Sequence, residues 1–116
     1  MSKGFGYKYS GTKGHIVAVA ASLPQNPTKL LGDGWEDISH PGQSQNGHML
    51  LKEKSTGLKI RFDKGTPNAS GYKGKDHYHV YNPNATSNRD LYLDSSGNPV
   101  PKSSTKSHIL PKGEIK

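Results

Sequence analysis

The stretch Gly57-Leu58-Lys59-Ile60-Arg61-Phe62-Asp63 decides how the rest of the chain is read. Successive strand residues point to opposite faces, so Leu58, Ile60 and Phe62 share one side while Lys59, Arg61 and Asp63 share the other. Apolar on one face and charged on the other, it predicts an antiparallel strand with one packed and one solvated side. Immediately before it, Gly47 to Lys54 has the length of a partner strand, and Ser55-Thr56-Gly57 carries turn chemistry. Residues 47–63 are therefore expected to form a β-hairpin.

Downstream, Gly65 to Lys75 reads as a loop of Gly, Lys, Pro and Asn, followed by a strand from Asp76 to Tyr81. In that strand Tyr78 and Val80 face one way, and His77, His79 and Tyr81 the other. Asn82-Pro83-Asn84 ends it. Arg89 to Leu93 is expected as another short strand, with Ser95-Ser96-Gly97-Asn98 turning the chain towards Val100. Residues 101–116 surround one compact element, Ser107-His108-Ile109-Leu110. Upstream, Trp35 to Ser39 resembles a short strand stopped by Pro41-Gly42. Asn26 is placed to cap a helical turn, with Pro27 first, Leu30 and Leu31 inside and Gly32 ending it. His15 to Ser22 fits strand or helix, because so short a run has no decisive period. The expectation is a single α+β domain: a small twisted antiparallel sheet with one or two short N-terminal helices. Residues 1–22 form an arm, linker or first element, and 23–116 the working domain.

Composition narrows what such a domain does. Only 29% of the 116 residues are hydrophobic, with 14 Gly and 8 Pro, which suits a thin core and many turns. Lys and Arg number 16 against 9 Asp and Glu, a net charge of +7 that calls for an anionic partner. The absence of cysteine excludes disulfides and thiolate metal sites. The apolar run Ile16 to Leu23 is too short for a membrane span, so no membrane role is expected. Met1-Ser2-Lys3-Gly4 opens without the apolar stretch of a secretory leader, so delivery is expected to depend on sequence outside this chain.

Six histidines are the chemical signal. If the two central strands pair with their polar faces aligned, Lys59 and Arg61 stand near His77 and His79. Such a group has the parts for metal-free RNA cleavage. One imidazole takes the ribose 2′-hydroxyl proton, another protonates the departing 5′-oxygen, and a fixed cation such as Arg61 stabilises the phosphorane. His108 is a further candidate from the C-terminal segment. Lys59, Lys64, Lys73 and Lys75 are expected to hold phosphates, and Tyr72 or Tyr81 to stack on a base. Neither a metal nor another cofactor is required. The rival reading gives His77 and His79, with Asp76 or Asp63, to a zinc-type ion. A His-Asn-His nuclease also needs a downstream helix bearing another histidine, yet Asn82-Pro83-Asn84 follows directly, and Asp76 alternates away from the imidazoles. His48 and His40 read as structural, and His15 as background. No Gly-x-Ser-x-Gly elbow accompanies Ser107, and the Gly71 to Gly74 segment lacks a phosphate-loop ending.

From Leu23 to Pro111 the chain also resembles a family. The segments are Leu23-Pro24, Gly34-Trp35, His40-Pro41, Thr56 to Gly65, Gly74-Lys75-Asp76-His77-Tyr78-His79, Tyr81-Asn82-Pro83-Asn84, Leu93-Asp94, Gly97 to Pro101 and Ser107 to Pro111. Together they are similar to the C-terminal toxin domains of bacterial polymorphic toxins, of the Rhs/YD-repeat, LXG or contact-dependent-inhibition type. Arg61, Asp76, His77, His79 and His108 are the matching positions. The resemblance implies a barnase-, EndoU- or nuclease-colicin-like fold and a cytotoxic ribonuclease acting on tRNA or rRNA. It also implies secretion within a larger toxin, action in the target cell's cytoplasm, and an acidic immunity protein as partner of a monomeric domain. A metal-dependent DNase and a non-catalytic nucleic-acid-binding module are the alternatives. The zinc-deaminase ligand pattern is absent.

Overall fold

A computed structural model describes residues 7–111, so the outermost parts of the expected arm and of the C-terminal segment, 1–6 and 112–116, lie outside it. Six strands form one antiparallel sheet in sequence order: β1 Trp35–Asp37, β2 Met49–Glu53, β3 Lys59–Asp63, β4 His77–Tyr81, β5 Tyr92–Leu93 and β6 Pro99–Val100. With helix α1 (Lys13–Ala21) and the short α2 (Pro41–Gln45), the class is α+β.

The predicted hairpin is present as β2 and β3, with Leu51 opposite Ile60 and Met49 opposite Phe62. Its turn closes through the Gly57 amide donating to the Glu53 carbonyl at 2.8 Å. Gly57 takes φ +86° there, a backbone geometry that side chains disfavour. The expected alternation is realised: Leu58, Ile60 and Phe62 are buried, and Lys59, Arg61 and Asp63 are half-buried on the opposite face.

His15 to Ser22 resolves to helix. Thr12 caps α1 by accepting the His15 amide at 3.0 Å, and the helix sends Ile16 and Ala20 into the core. His15 itself ties α1 to the sheet through Glu53, Nε2 to Oε1 at 2.6 Å. The Asn26-capped turn appears as a 3-10 helix over Pro27–Gly32, with Leu30 buried and Leu31 exposed. Pro41-Gly42 does more than stop a strand. Pro41 opens α2, which His40 caps by accepting the Gln43 amide on Nδ1.

One face of the sheet makes the core with α1 and the 3-10 turn, gathering Leu23, Trp35, Leu51, Ile60, Phe62, Tyr78, Val80, Leu93 and Ile109. Tyr78 is wholly buried, edge-on to Phe62, with its hydroxyl donating to the Pro24 carbonyl at 2.6 Å. β5 is only two residues long and pairs with Val80 and Tyr81, leaving the start of β4 open on that edge. Ile109 fills the gap, exchanging two backbone hydrogen bonds with Tyr78 at 2.8 and 2.9 Å. Among the described residues, no helix is long and apolar enough to cross a membrane.

Candidate active site

The strand register turns spacing into a site. On the face opposite the core, Arg61 pairs with His79 and Asp63 with His77. The next position beyond the Met49–Phe62 pair sets His48 beside Asp63 on the other flank. Asp63 is the hub. Its carboxylate accepts two hydrogen bonds from Arg61, Nε at 2.8 Å and Nη2 at 2.9 Å. Nε2 of His77 and Nε2 of His79 each stand 3.3 Å from its Oδ2. His48 Nδ1 is 3.6 Å from Oδ1 and accepts the Lys64 amide at 3.2 Å.

The two imidazoles share one carboxylate, and a different balance between it and burial drives their protonation apart. Burial opposes charge on His77, but the hydrogen bond to Asp63, the Lys75 carbonyl and the Asp63 charge outweigh it, and its pKa is raised. Burial dominates at His79; the Arg61 and His77 charges add to it, and its pKa is lowered despite Asp63. Asp63 is itself buried, yet hydrogen bonds from His77, His79 and Arg61 hold its carboxyl far below the usual range. Near neutral pH the pair is thus biased towards one imidazolium and one neutral ring.

The imidazole face differs from a wet surface. His77 and His79 are buried at 6% and 3% exposure, because β5 and the C-terminal segment lie over them. His79 stacks on Tyr92, ring centroids 4.5 Å apart, and His108 packs 4.7 Å from both His77 and His79. Tyr72 stacks on the outer side of His108 at 4.5 Å. Two tautomers follow from backbone contacts. His77 Nδ1 donates to the Lys75 carbonyl at 2.9 Å and His108 Nδ1 to the Thr105 carbonyl at 3.1 Å, which leaves Nε2 as the working nitrogen of each.

Beside the cluster lies a cleft of about 340 Å³, lined by His48, Arg61, Asp63, Lys64, Lys73 and His77, with Gln43 and Thr66. Of the expected phosphate-holding lysines, Lys64 and Lys73 reach it. Lys59 does not line it; its ammonium sits 4.8 Å over the Tyr7 ring. Lys75 meets the cluster through its carbonyl. Tyr81 lies beside Arg61, hydroxyl to Nη1 at 3.4 Å. Arg61 faces the site as its alternation required, but its guanidinium is committed to Asp63. Asp76 turns away and accepts the Gly65 amide at 2.7 Å, pinning the loop.

Sequence reasoning missed two members. The sequence points to Asp63 only as a metal ligand and to His48 as structural. Both share the wet-face parity of Arg61 once the hairpin register is drawn, so the register was the signal. No family model, curated protein or solved structure matches the chain.

Proposed function

We propose that this chain is a ribonuclease toxin domain cleaving RNA by transesterification without a resident metal, on a fold of the barnase, EndoU and nuclease-colicin kind. The observation that carries the reading is the pair of Nε2-presenting rings, His77 and His108, packed 4.7 Å apart, with His77 lining the cleft of Lys64 and Lys73 and His108 lining a second cleft with Tyr72 and Lys106. His77, biased to imidazolium by Asp63, is the acid. His108, half-buried rather than sealed, is the base.

The step balances without a further reactant. His108 Nε2 takes the 2′-hydroxyl proton, the 2′-oxygen attacks phosphorus, and the bond to the 5′-oxygen breaks as His77 Nε2–H protonates it. A 2′,3′-cyclic phosphate and a 5′-hydroxyl result. At 3.3 Å the His77–Asp63 contact is looser than a tight charge-assisted hydrogen bond, which leaves the Nε2 proton free to be shared with a leaving oxygen. Lys64 and Lys73 neutralise the phosphates in the cleft. His79 and Arg61 hold Asp63 in place rather than touching substrate. The acidic immunity protein of the producing cell binds this basic surface, and the domain reaches the target cytoplasm as part of a larger secreted toxin.

The test incubates the domain with total RNA and with plasmid DNA, each with and without EDTA. RNA cleavage that survives EDTA and leaves cyclic phosphate ends is expected. Activity lost with EDTA, or directed at DNA, overturns the reading. Cleavage of neither substrate points to a basic nucleic-acid-binding module. His108→Ala should lower turnover by about 10²–10⁴-fold, the usual contribution of general acid–base catalysis.

A further inference from the structure

We propose that His77, His79 and His108 form a binding site for a borderline transition-metal ion of the Zn²⁺ class, and that its occupancy switches the nuclease off. The inhibitory half rests on the acid–base reading above; the binding half does not. The three ring centroids form a nearly equilateral triangle with sides of 4.9, 4.7 and 4.7 Å. One nitrogen from each ring lies within 4.8 Å of the others. Metal–nitrogen bonds of about 2.0–2.1 Å in tetrahedral geometry need these nitrogens roughly 3.3 Å apart, so the rings would close by up to about 1.5 Å on binding.

Two observations besides proximity point to a ligand. The first is the shell behind the rings. His77 and His108 each give Nδ1–H to a backbone carbonyl, Lys75 and Thr105. Metal-binding histidines are oriented in this way, with the remote N–H fixed so that the other nitrogen offers its lone pair. The second is an orphan. His79 Nδ1 is the one buried side-chain polar atom among the described residues without a hydrogen-bond partner. An unpartnered buried imidazole nitrogen is costly in a closed protein interior and is relieved by a metal ion.

The local charge permits a cation. Arg61 is neutralised by its two bonds to Asp63, whose Oδ2 also faces His77 and His79. An all-imidazole donor set suits Zn²⁺, Cu²⁺ or Ni²⁺ and not Mg²⁺ or Ca²⁺, which prefer oxygen. Coordination would consume the Nε2 lone pair of His108 and displace the Nε2 proton of His77. Base and acid would be disabled by one ion.

The full chain, stripped with EDTA and desalted, is titrated with ZnCl₂ by calorimetry, with MgCl₂ as comparison. A parallel arm follows RNA cleavage in the same solutions. One Zn²⁺ per chain is expected at about micromolar affinity or better, with no Mg²⁺ binding. His108→Ala, altering a half-buried ring outside the sheet, should weaken Zn²⁺ binding at least tenfold, and cleavage by the unaltered chain should fall as the site fills. No Zn²⁺ binding, or binding unchanged in His108→Ala, overturns the site. Binding without inhibition overturns the switch. Cleavage that appears only with Zn²⁺ overturns both the switch and the metal-free reaction, while the site stands.

Discussion

Asp63→Asn keeps the shape of the hub and removes the one negative charge that Arg61, His77 and His79 share. The side chains left behind are poorly solvated, with exposures of 26% for Arg61, 8% for His77 and 4% for His79. Removing one partner of a buried ion pair costs roughly 3–5 kcal/mol. Arg61 keeps a quarter of its surface in water and the new amide still accepts one hydrogen bond, so a loss of about 3 kcal/mol is expected. For a domain of this length that lowers the melting temperature by about 12 °C. The same substitution has a second signature. With the carboxylate gone, burial acts on His77 against the Lys75 carbonyl alone, so its raised pKa should fall below the ordinary value. Urea and thermal unfolding measure the first effect, and NMR titration of the imidazole protons the second. A loss below about 1 kcal/mol, with His77 still titrating high, would refute Asp63 as the electrostatic anchor.

Stability should depend on pH with opposing limbs. His77, with its raised pKa, contributes fully below about 6.5 and loses that contribution as pH rises through its folded value. His79, with its lowered pKa, contributes above about 6.5 and loses it as pH falls through its folded value. Urea midpoints across pH should peak near ~6.5, and a monotonic curve from about pH 5 to pH 8 would contradict the split. Asp63 adds a steeper loss below about pH 3.9, because its carboxyl is held low in the folded state. Lys64→Ala and Lys73→Ala should each weaken RNA binding and reduce the salt slope of log K by about 0.7, whereas Lys59→Ala should leave that slope unchanged. Tyr78→Phe keeps the ring against Phe62 but strips the Pro24 carbonyl of its donor, and should cost about 1–3 kcal/mol in urea unfolding.

Parity is legible in the sequence. Leu58, Ile60 and Phe62 could only face a core, and that assignment carried Arg61 and Asp63 to the far side with His77 and His79. Register was harder to read. Whether His48 faces Asp63 depends on the turn absorbing Lys54 to Gly57, a one-residue matter on which every cross-strand neighbour turns. Burial of the imidazoles was not readable at all. It comes from Tyr92, on a two-residue strand, and from His108, some thirty residues further along the chain than His77. Neither is announced by local pattern, since alternation reports which way a side chain points and not what later segments lay over it. Arg61 shows the same limit. Its direction followed from alternation, but its commitment to Asp63, two residues away on the same strand face, required side-chain geometry.

The unequal anchoring of the three imidazoles has a physical consequence. His77 and His79 belong to a central strand and are held by the β3 ladder, opposite Asp63 and Arg61. His108 is held through its flanking residues, by two hydrogen bonds of Ile109 with Tyr78 and by the burial of Ser107, Ile109 and Pro111. Residues 105–111 are joined to the sheet by a single backbone bridge, Tyr78 to Ile109, where neighbouring strands are joined by ladders. Opening this segment would take His108 from its neighbours, uncover His77 and His79, and dissolve the imidazole triangle together. A ligand or partner that biased this segment would therefore act on the proposed acid–base pair without entering the cleft.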